Sequence, residues 1–501
     1  MKHETPVEHF DVLIVGAGIS GIGMAVHLKD KCPDRSFVML DRGEEIGGTW
    51  RLFQYPGIRS DSDMHTLGFE FEPWREQKAI ADGPSIMKYL HRIRNERKLD
   101  DHIRLGHKVL SAAWSSADAC WTVEAENSKG DTVRITAGFL YLGAGYYDYD
   151  EGHDAGFVDK DKFRGDIIHP QFWPRDYDYS GKRVVIIGSG ATAVTLLPSM
   201  TDKAAHVTML QRTPTWYAVR PAKDALANFM RRIMPDEWAY AITRRKNVFM
   251  QHLFFNRART RPDKVAKMLM KGVRKALGSE PDPVAFTPPY NPWEQRLCLV
   301  PDGDMFAAIR DGKADVVTDH IERFTETGIQ LKSGQHLDAD VIITATGLKL
   351  AMAGKVAMSV DGRPVDLHEH YYYKGCMFSN IPNMVIVFGY LNASWTLKVD
   401  IVAKYVCRLL NHLKATGTRI VMPRLDDPDS IEEEPIFDFS SGYVQRGLHL
   451  LPRNAVNMPW RVTQDYLFEK KVLTEEAVDD GVLQFTTEME RAEADRAIAA
   501  E

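Results

Sequence analysis

Short apolar runs, each closed by a glycine cluster and followed by helical spacing, set the frame of this chain. Phe10–Val15 reads as a buried strand, Gly16–Gly21 as its turn, Ile22–Lys31 as a helix and Phe37–Leu40 as a second strand. The stretches His107–Trp114, Trp121–Glu126 and Val133–Leu142 predict a β-meander, placed before the closing strand of the sheet, with Gly130 in the turn Asn127–Asp131. The pattern then starts again, with a strand Arg183–Ile187, a glycine turn, a helix and a strand Val207–Leu210. A hairpin Ile329–Leu337, turning at Ser333-Gly334, and a strand Val341–Thr344 mirror the earlier meander. This rhythm predicts an α/β fold of two Rossmann-like dinucleotide-binding domains, with a helical insertion in the second.

The expected boundaries follow. Residues 1–150 form the first part of the first nucleotide domain, 151–215 a linker and the start of the second domain, and 216–295 the insertion. Residues 296–347 complete the second domain, and 348–501 return to the first and include the C-terminal region. Within the insertion, Arg220 to Lys275 carries fifteen Lys/Arg against four Asp/Glu, interleaved with Phe229, Ile233, Trp238, Ile242, Phe249, Leu253 and Phe254, before a proline-rich loop Pro281–Pro292. It reads as a solvated helical face near the entrance of the second nucleotide site. The same pattern also suits amphipathic helices resting on an anionic membrane surface. Asp426–Glu434 reads as an acidic surface loop, and the tail from Glu488 as a loosely held helix.

Charge and cysteine usage narrow the function classes. With 63 Lys+Arg against 69 Asp+Glu, the formal charge of −6 argues against nucleic-acid binding through overall charge. The five cysteines (Cys32, Cys120, Cys298, Cys376, Cys407) are odd in number, far apart and contain no CxxC, which argues against a disulfide scaffold, a zinc ribbon or a thioredoxin-type pair and fits a reducing compartment. The polar first ten residues do not resemble a signal peptide, and no 18-residue apolar run is present. A cytoplasmic protein is expected, with peripheral attachment at the inner face of the membrane left open by the basic insertion. No metal site is expected.

The glycine clusters carry the first chemistry. Gly16-Ala-Gly18-Ile-Ser20-Gly21 follows a strand and opens a helix: Gly16 for the tight turn, Gly18 for close approach of a pyrophosphate, Gly21 for helix–strand packing. Asp41 ends the next strand, where a carboxylate accepts hydrogen bonds from a ribose. The second cluster, Gly188-Ser189-Gly190-Ala191-Thr192-Ala193, leads to a strand ending in Gln211-Arg212-Thr213 with no acid. A carboxylate repels a 2′-phosphate and a guanidinium grips it, so the second nucleotide is expected to be NADPH rather than NADH. FAD in the first domain and NADPH in the second is the simplest pairing, which passes a hydride from nicotinamide to flavin.

Longer motifs then bring in a resemblance. Gly47-Gly48-Thr49-Trp50, Tyr55-Pro56-Gly57-Ile58-Arg59-Ser60-Asp61, the FxGxxxHxxxWP run from Phe163 through Gly165, His169 and Trp173 to Pro174, and Ala345-Thr346-Gly347 together resemble a class B flavoprotein monooxygenase of the Baeyer–Villiger type over nearly the whole chain. The resemblance implies that Arg296, in Asn291-Pro-Trp-Glu-Gln-Arg296-Leu-Cys-Leu-Val-Pro301, stabilises an anionic C4a-peroxyflavin, with Asp61 orienting it. It further implies that Gly48, Thr49 and Trp50 contact the flavin, that Arg59, Ser60 and Asp61 lie where flavin and nicotinamide meet, and that the backbone of Val109 faces adenine. Asn392-Ala-Ser-Trp395-Thr396 is placed against the flavin pyrimidine rather than read as a glycosylation sequon. His169 becomes a linker residue coupling the two domains, not a base, and Phe163 and Trp173 pack that linker. Many members carry Lys before the catalytic arginine; here it is Gln295, which leaves Arg212 with less help on the phosphate.

The implied activity uses NADPH and O2 to convert small apolar ketones to esters or lactones, and also to oxidise thioethers or thioamides. Two rivals stand beside it. One is a flavin-containing N- or S-oxygenase, which lacks the Asp61/Arg296 pair. The other is an NADPH-dependent disulfide or quinone reductase; a disulfide reductase needs a cysteine pair beside the flavin.

Overall fold

The structure is a computed structural model in which residues 7–487 are described; the tail from Glu488 lies outside them. Glu8–Val15 is the central strand of the larger sheet. Phe37–Leu40 and then Ile103–Arg104 lie parallel to it on one side, and Thr132–Leu142 lies parallel on the other. Val12–Val15 are buried on both faces, which is why this strand reads as a continuous apolar run. The eleven-residue strand Thr132–Leu142 does two jobs. Its first half pairs antiparallel with Cys120–Glu126 and alternates in burial; its last residues pair with Val12–Val15 and are wholly buried. The meander is therefore not set before a separate closing strand, since its third strand is itself a core strand. Met384–Ile386 arrives from late in the chain and pairs with Leu140–Leu142 on the far side.

The helix Ile19–Lys31 starts three residues earlier than its apolar spacing suggests, because Gly18 occupies the cap position. It packs on the long helix Trp395–Thr416 through Gly23, where an added Cβ would lie 2.7 Å from Val399 and 2.8 Å from Phe69. The contact requires glycine.

The second sheet is five-stranded and parallel, in the order Ala314–Thr318, His206–Gln211, Arg183–Ile187, Val341–Thr344, Asp166–Ile168. A three-stranded antiparallel ribbon, Ile321–Thr325, Gly328–Leu331 and His336–Asp338, attaches where the hairpin was expected. The helices Ala225–Ile233, Asp236–Thr260, Pro262–Leu277 and Pro283–Phe286 interrupt this unit. The stretch expected as insertion begins not in a helix but in a strand, Tyr217–Arg220, which pairs in parallel with Cys298–Pro301 and so brings the two ends of the inserted segment together.

The longest inserted helix, Asp236–Thr260, crosses to the first unit. Arg244 is buried there and donates to the carbonyls of His65, Thr66 and Gly68 and to the Asp400 carboxylate at 3.0 Å. Asp400 also accepts from the Glu70 amide at 3.0 Å and faces Nε2 of His27 at 3.2 Å. Burial alone would raise its pKa, but the His27 and Arg244 contacts hold it below the usual carboxylate range. Removing one member of such a cluster strands the others without water. Arg244→Met is expected to cost about 3–5 kcal/mol of unfolding free energy in chemical denaturation; a cost below about 1 kcal/mol contradicts the assignment.

Candidate functional site

A cleft of ≈ 920 Å³ runs between the two nucleotide-binding units. Both units build their side of it with the same device. Gly16 has φ +102°, and a Cβ there would lie 2.7 Å from the carbonyl oxygen of Gly143, which follows the strand Thr132–Leu142. Gly188 has φ +133°, and a Cβ there would lie 2.3 Å from the carbonyl oxygen of Ala345, which follows Val341–Thr344. In each unit the chain leaving a strand that pairs in parallel with the first one passes over the first glycine of the fingerprint. The helices Ile19–Lys31 and Ala191–Met200 both begin at a glycine with no side-chain cap, leaving backbone N–H groups for an anion.

Most residues expected at the site line this cleft. Gly16, Gly18, Ser20, Asp41, Gly48, Thr49, Trp50 and Val109 line the first unit's side. Gly188, Ser189, Gly190, Ala191, Thr192, Arg212 and Thr213 line the second's, and Arg59, Ser60, Asp61 and Arg296 also line it. Gly21 and Ala193 do not. A Cβ on Gly21 would sit 1.8 Å from the carbonyl oxygen of Gly16, and Ala193 is fully buried, so both belong to the packing beneath the loops. Asp41 is braced by its own loop, accepting from the amides of Ala17 at 2.6 Å and Gly43 at 2.7 Å. Each oxygen retains a lone pair for a ribose hydroxyl.

Within the cleft lining, Arg59 and Asp61 of the first unit make ion pairs of opposite polarity with the second. Arg59 pairs with Asp304, and two residues on, Asp61 pairs with Nη2 of Arg296 at 2.5 Å. Burial opposes the charge on Arg296, but the Asp61 carboxylate beside it favours the charge and the guanidinium stays above its usual pKa. The site thus keeps a fixed positive charge. Ala393, Ser394 and Trp395 line the cleft, while Asn392 donates instead to the Gln464 carbonyl at 2.9 Å. His169 does not line the cleft; it sits beyond the edge strand Asp166–Ile168 against Gly152, with its pKa depressed chiefly by burial. Phe163 is buried against the second sheet, and Trp173 meets Tyr177 edge to face at 6.1 Å.

A family model described as pyridine nucleotide-disulphide oxidoreductase matches residues 13–236. The chain is 49% identical over 477 residues to a probable FAD-binding monooxygenase AlmA of Acinetobacter sp, covering 95% of this chain and 96% of the relative. It is also 49% identical to the FAD-containing monooxygenase EthA of Mycolicibacterium smegmatis, covering 96% and 97%. The chain belongs to the FAD-containing monooxygenases. A solved structure titled oxidized steroid monooxygenase bound to NADP shares the fold of this monooxygenase, with TM-score 0.74, 21% identity, and coverage of 95% and 99%.

Sequence reasoning passed over several residues of the monooxygenase cleft. Tyr146 and Tyr147 follow Gly143-Ala-Gly145 directly and hydrogen-bond to each other through their hydroxyls. Tyr146 stacks on Trp395 at 4.9 Å, and Trp395 donates from Nε1 to Ser20 at 2.9 Å. Burial pushes both phenols well above their ordinary pKa. Tyr443 and Arg446 come from a short late helix, Gly442–Gly447, which no motif marks. Among the described residues, Cys298 is the one cysteine lining the cleft, so no cysteine pair is present there. Burial pushes its thiol up to about 12, against weaker opposing effects of Thr215 and Arg296. It stays protonated at pH 8, and peptide mass spectrometry after iodoacetamide treatment should find it unlabelled while a reference thiol of ordinary pKa reacts. Rapid labelling of Cys298 would contradict the burial described.

Proposed function

We propose that this monooxygenase holds FAD on its first unit and NADPH on its second, and inserts one oxygen atom of O2 into small apolar ketones to give esters or lactones, with thioethers or thioamides as further substrates. The observation that carries the reading is the Arg296–Asp61 pair at the junction of the two units. The glycine cradle fits the cofactors: a Cβ on Gly18 would lie 3.4 Å from the Gly48 Cα, and one on Gly190 would project into open space. Bound flavin, reduced by the nicotinamide, supplies the activation of O2. The chain supplies the rest. Arg296 cannot lose its proton, so it offers an unchanging counter-charge to an anionic oxygen and polarises a carbonyl placed beside it. Asp61 fixes the direction of that guanidinium. Tyr146, Tyr147 and Tyr443 have raised pKa values, so they remain neutral donors and add no competing negative charge. The absence of a cysteine pair from the described cleft counts against disulfide reduction.

Arg296→Ala is expected to lower ketone oxygenation by at least ~10²- to 10³-fold while NADPH oxidation continues. The readout is 18O incorporation from 18O2 into product, measured against NADPH consumed. Oxygenated product at wild-type yield would defeat the reading.

The inserted helices favour a second reading, that the protein rests peripherally on an anionic membrane. Their inner residues Ala227, Met230, Tyr240 and Val248 are buried. Their outer face exposes Phe229 (56%), Ile233 (62%), Trp238 (68%) and Phe249 (56%), with Arg232 and Arg245 among them. No helix among the described residues is long and apolar enough to cross a membrane. Cosedimentation with phosphatidylglycerol-containing vesicles, lost on Phe229→Glu/Trp238→Glu and weak with neutral vesicles, is the expected outcome. Equal recovery in the supernatant with both vesicle types would contradict it.

A further inference from the structure

The nicotinamide side of the cleft contains two arginines with nothing to neutralise them. Arg212 follows the strand His206–Gln211 of the second unit, and Arg446 comes from the late helix Gly442–Gly447. Both line the cleft. Neither has an ion-pair or side-chain hydrogen-bond partner among the described residues. Asp319, the acid on this side, faces the amides of His320 and Ser333 instead. Arg446 lies over the second unit: its Nη2 is 3.2 Å from where a Cβ on Gly347 would stand, at the end of the Ala345-Thr346-Gly347 crossover. Its pKa is depressed first by burial and then by the positive charge of Arg212. Gln295, which also lines the cleft, adds no charge.

Two unpaired guanidiniums in one cleft make a site for a doubly charged oxyanion, and each can bind phosphate oxygens in a fork. We propose that Arg446 is a specificity residue for the coenzyme, gripping the 2′-phosphate of NADPH together with Arg212. The helix that carries it also carries Tyr443, which lies against Arg296. A phosphate held by Arg446 therefore fixes, through one six-residue helix, a group beside the catalytic guanidinium. The inference rests on the reading of the second fingerprint as an NADPH site and names the further residue that reads the phosphate.

The test uses flavin-loaded full-length protein under anaerobic conditions, following flavin reduction by NADPH and by NADH to obtain a Kd for each. The wild-type selectivity, Kd(NADH)/Kd(NADPH), is measured first; a ratio near one removes the NADPH reading itself, whatever the variants do. Given a wild-type preference, Arg446→Ala is expected to lower the ratio by about 10- to 100-fold, the size of one charge-assisted contact. Arg446→Lys, which keeps the charge and guards against a folding artefact, should recover part of it. An unchanged ratio in Arg446→Ala overturns the proposal, and so does equal weakening of both coenzymes, which places the guanidinium on a group they share.

Discussion

The arrangement depends on one constraint: a guanidinium that must stay charged in a cleft lined by the buried Tyr146 and the partly buried Tyr147 and Tyr443. A lone cation in such surroundings is costly, and the Asp61 carboxylate, 2.5 Å away, offsets that cost. The partners come from different nucleotide units, so the charge is complete only when the units meet. The Arg59–Asp304 pair repeats the contact with reversed polarity two residues earlier in the same loop. One loop of the first unit therefore reads two positions of the second by charge, which fixes both the approach and the register of the junction.

The two units solve the dinucleotide problem in the same way. In each, a backbone carbonyl just past a strand that pairs in parallel with the first one lies so near the first fingerprint glycine that no side chain fits. They differ at the end of the following strand, where Asp41 is tied into its loop and Arg212 stands without a partner. That difference divides labour: a carboxylate suits a ribose and a free guanidinium suits a phosphate.

Much of this was legible because it is written in contiguous residues. A glycine that must adopt positive φ, an apolar run buried on both faces and a strand-end acid each leave a local mark. Gly21 and Ala193 belong to the same motifs yet pack beneath the cleft, because a motif records what the loop needs and not only what the ligand touches. The meander's third strand was misjudged because half of it alternates and half does not; it changes partners midway. Tyr443 and Arg446 left no mark. They reach the cleft from far along the chain on a short helix, and only tertiary packing brings them there. The inserted helices were legible as helices, but which face Arg244 would occupy depended on Asp400, a residue distant in sequence.

The central claim is positional, and a structure of the protein with both cofactors bound measures it most directly. The account predicts the Arg296 guanidinium within hydrogen-bonding reach of the flavin ring, about 3 Å from a ring or oxygen-bearing atom, with Asp61 behind it. A guanidinium directed away from the ring into bulk solvent, with the Asp61 contact broken, would contradict it.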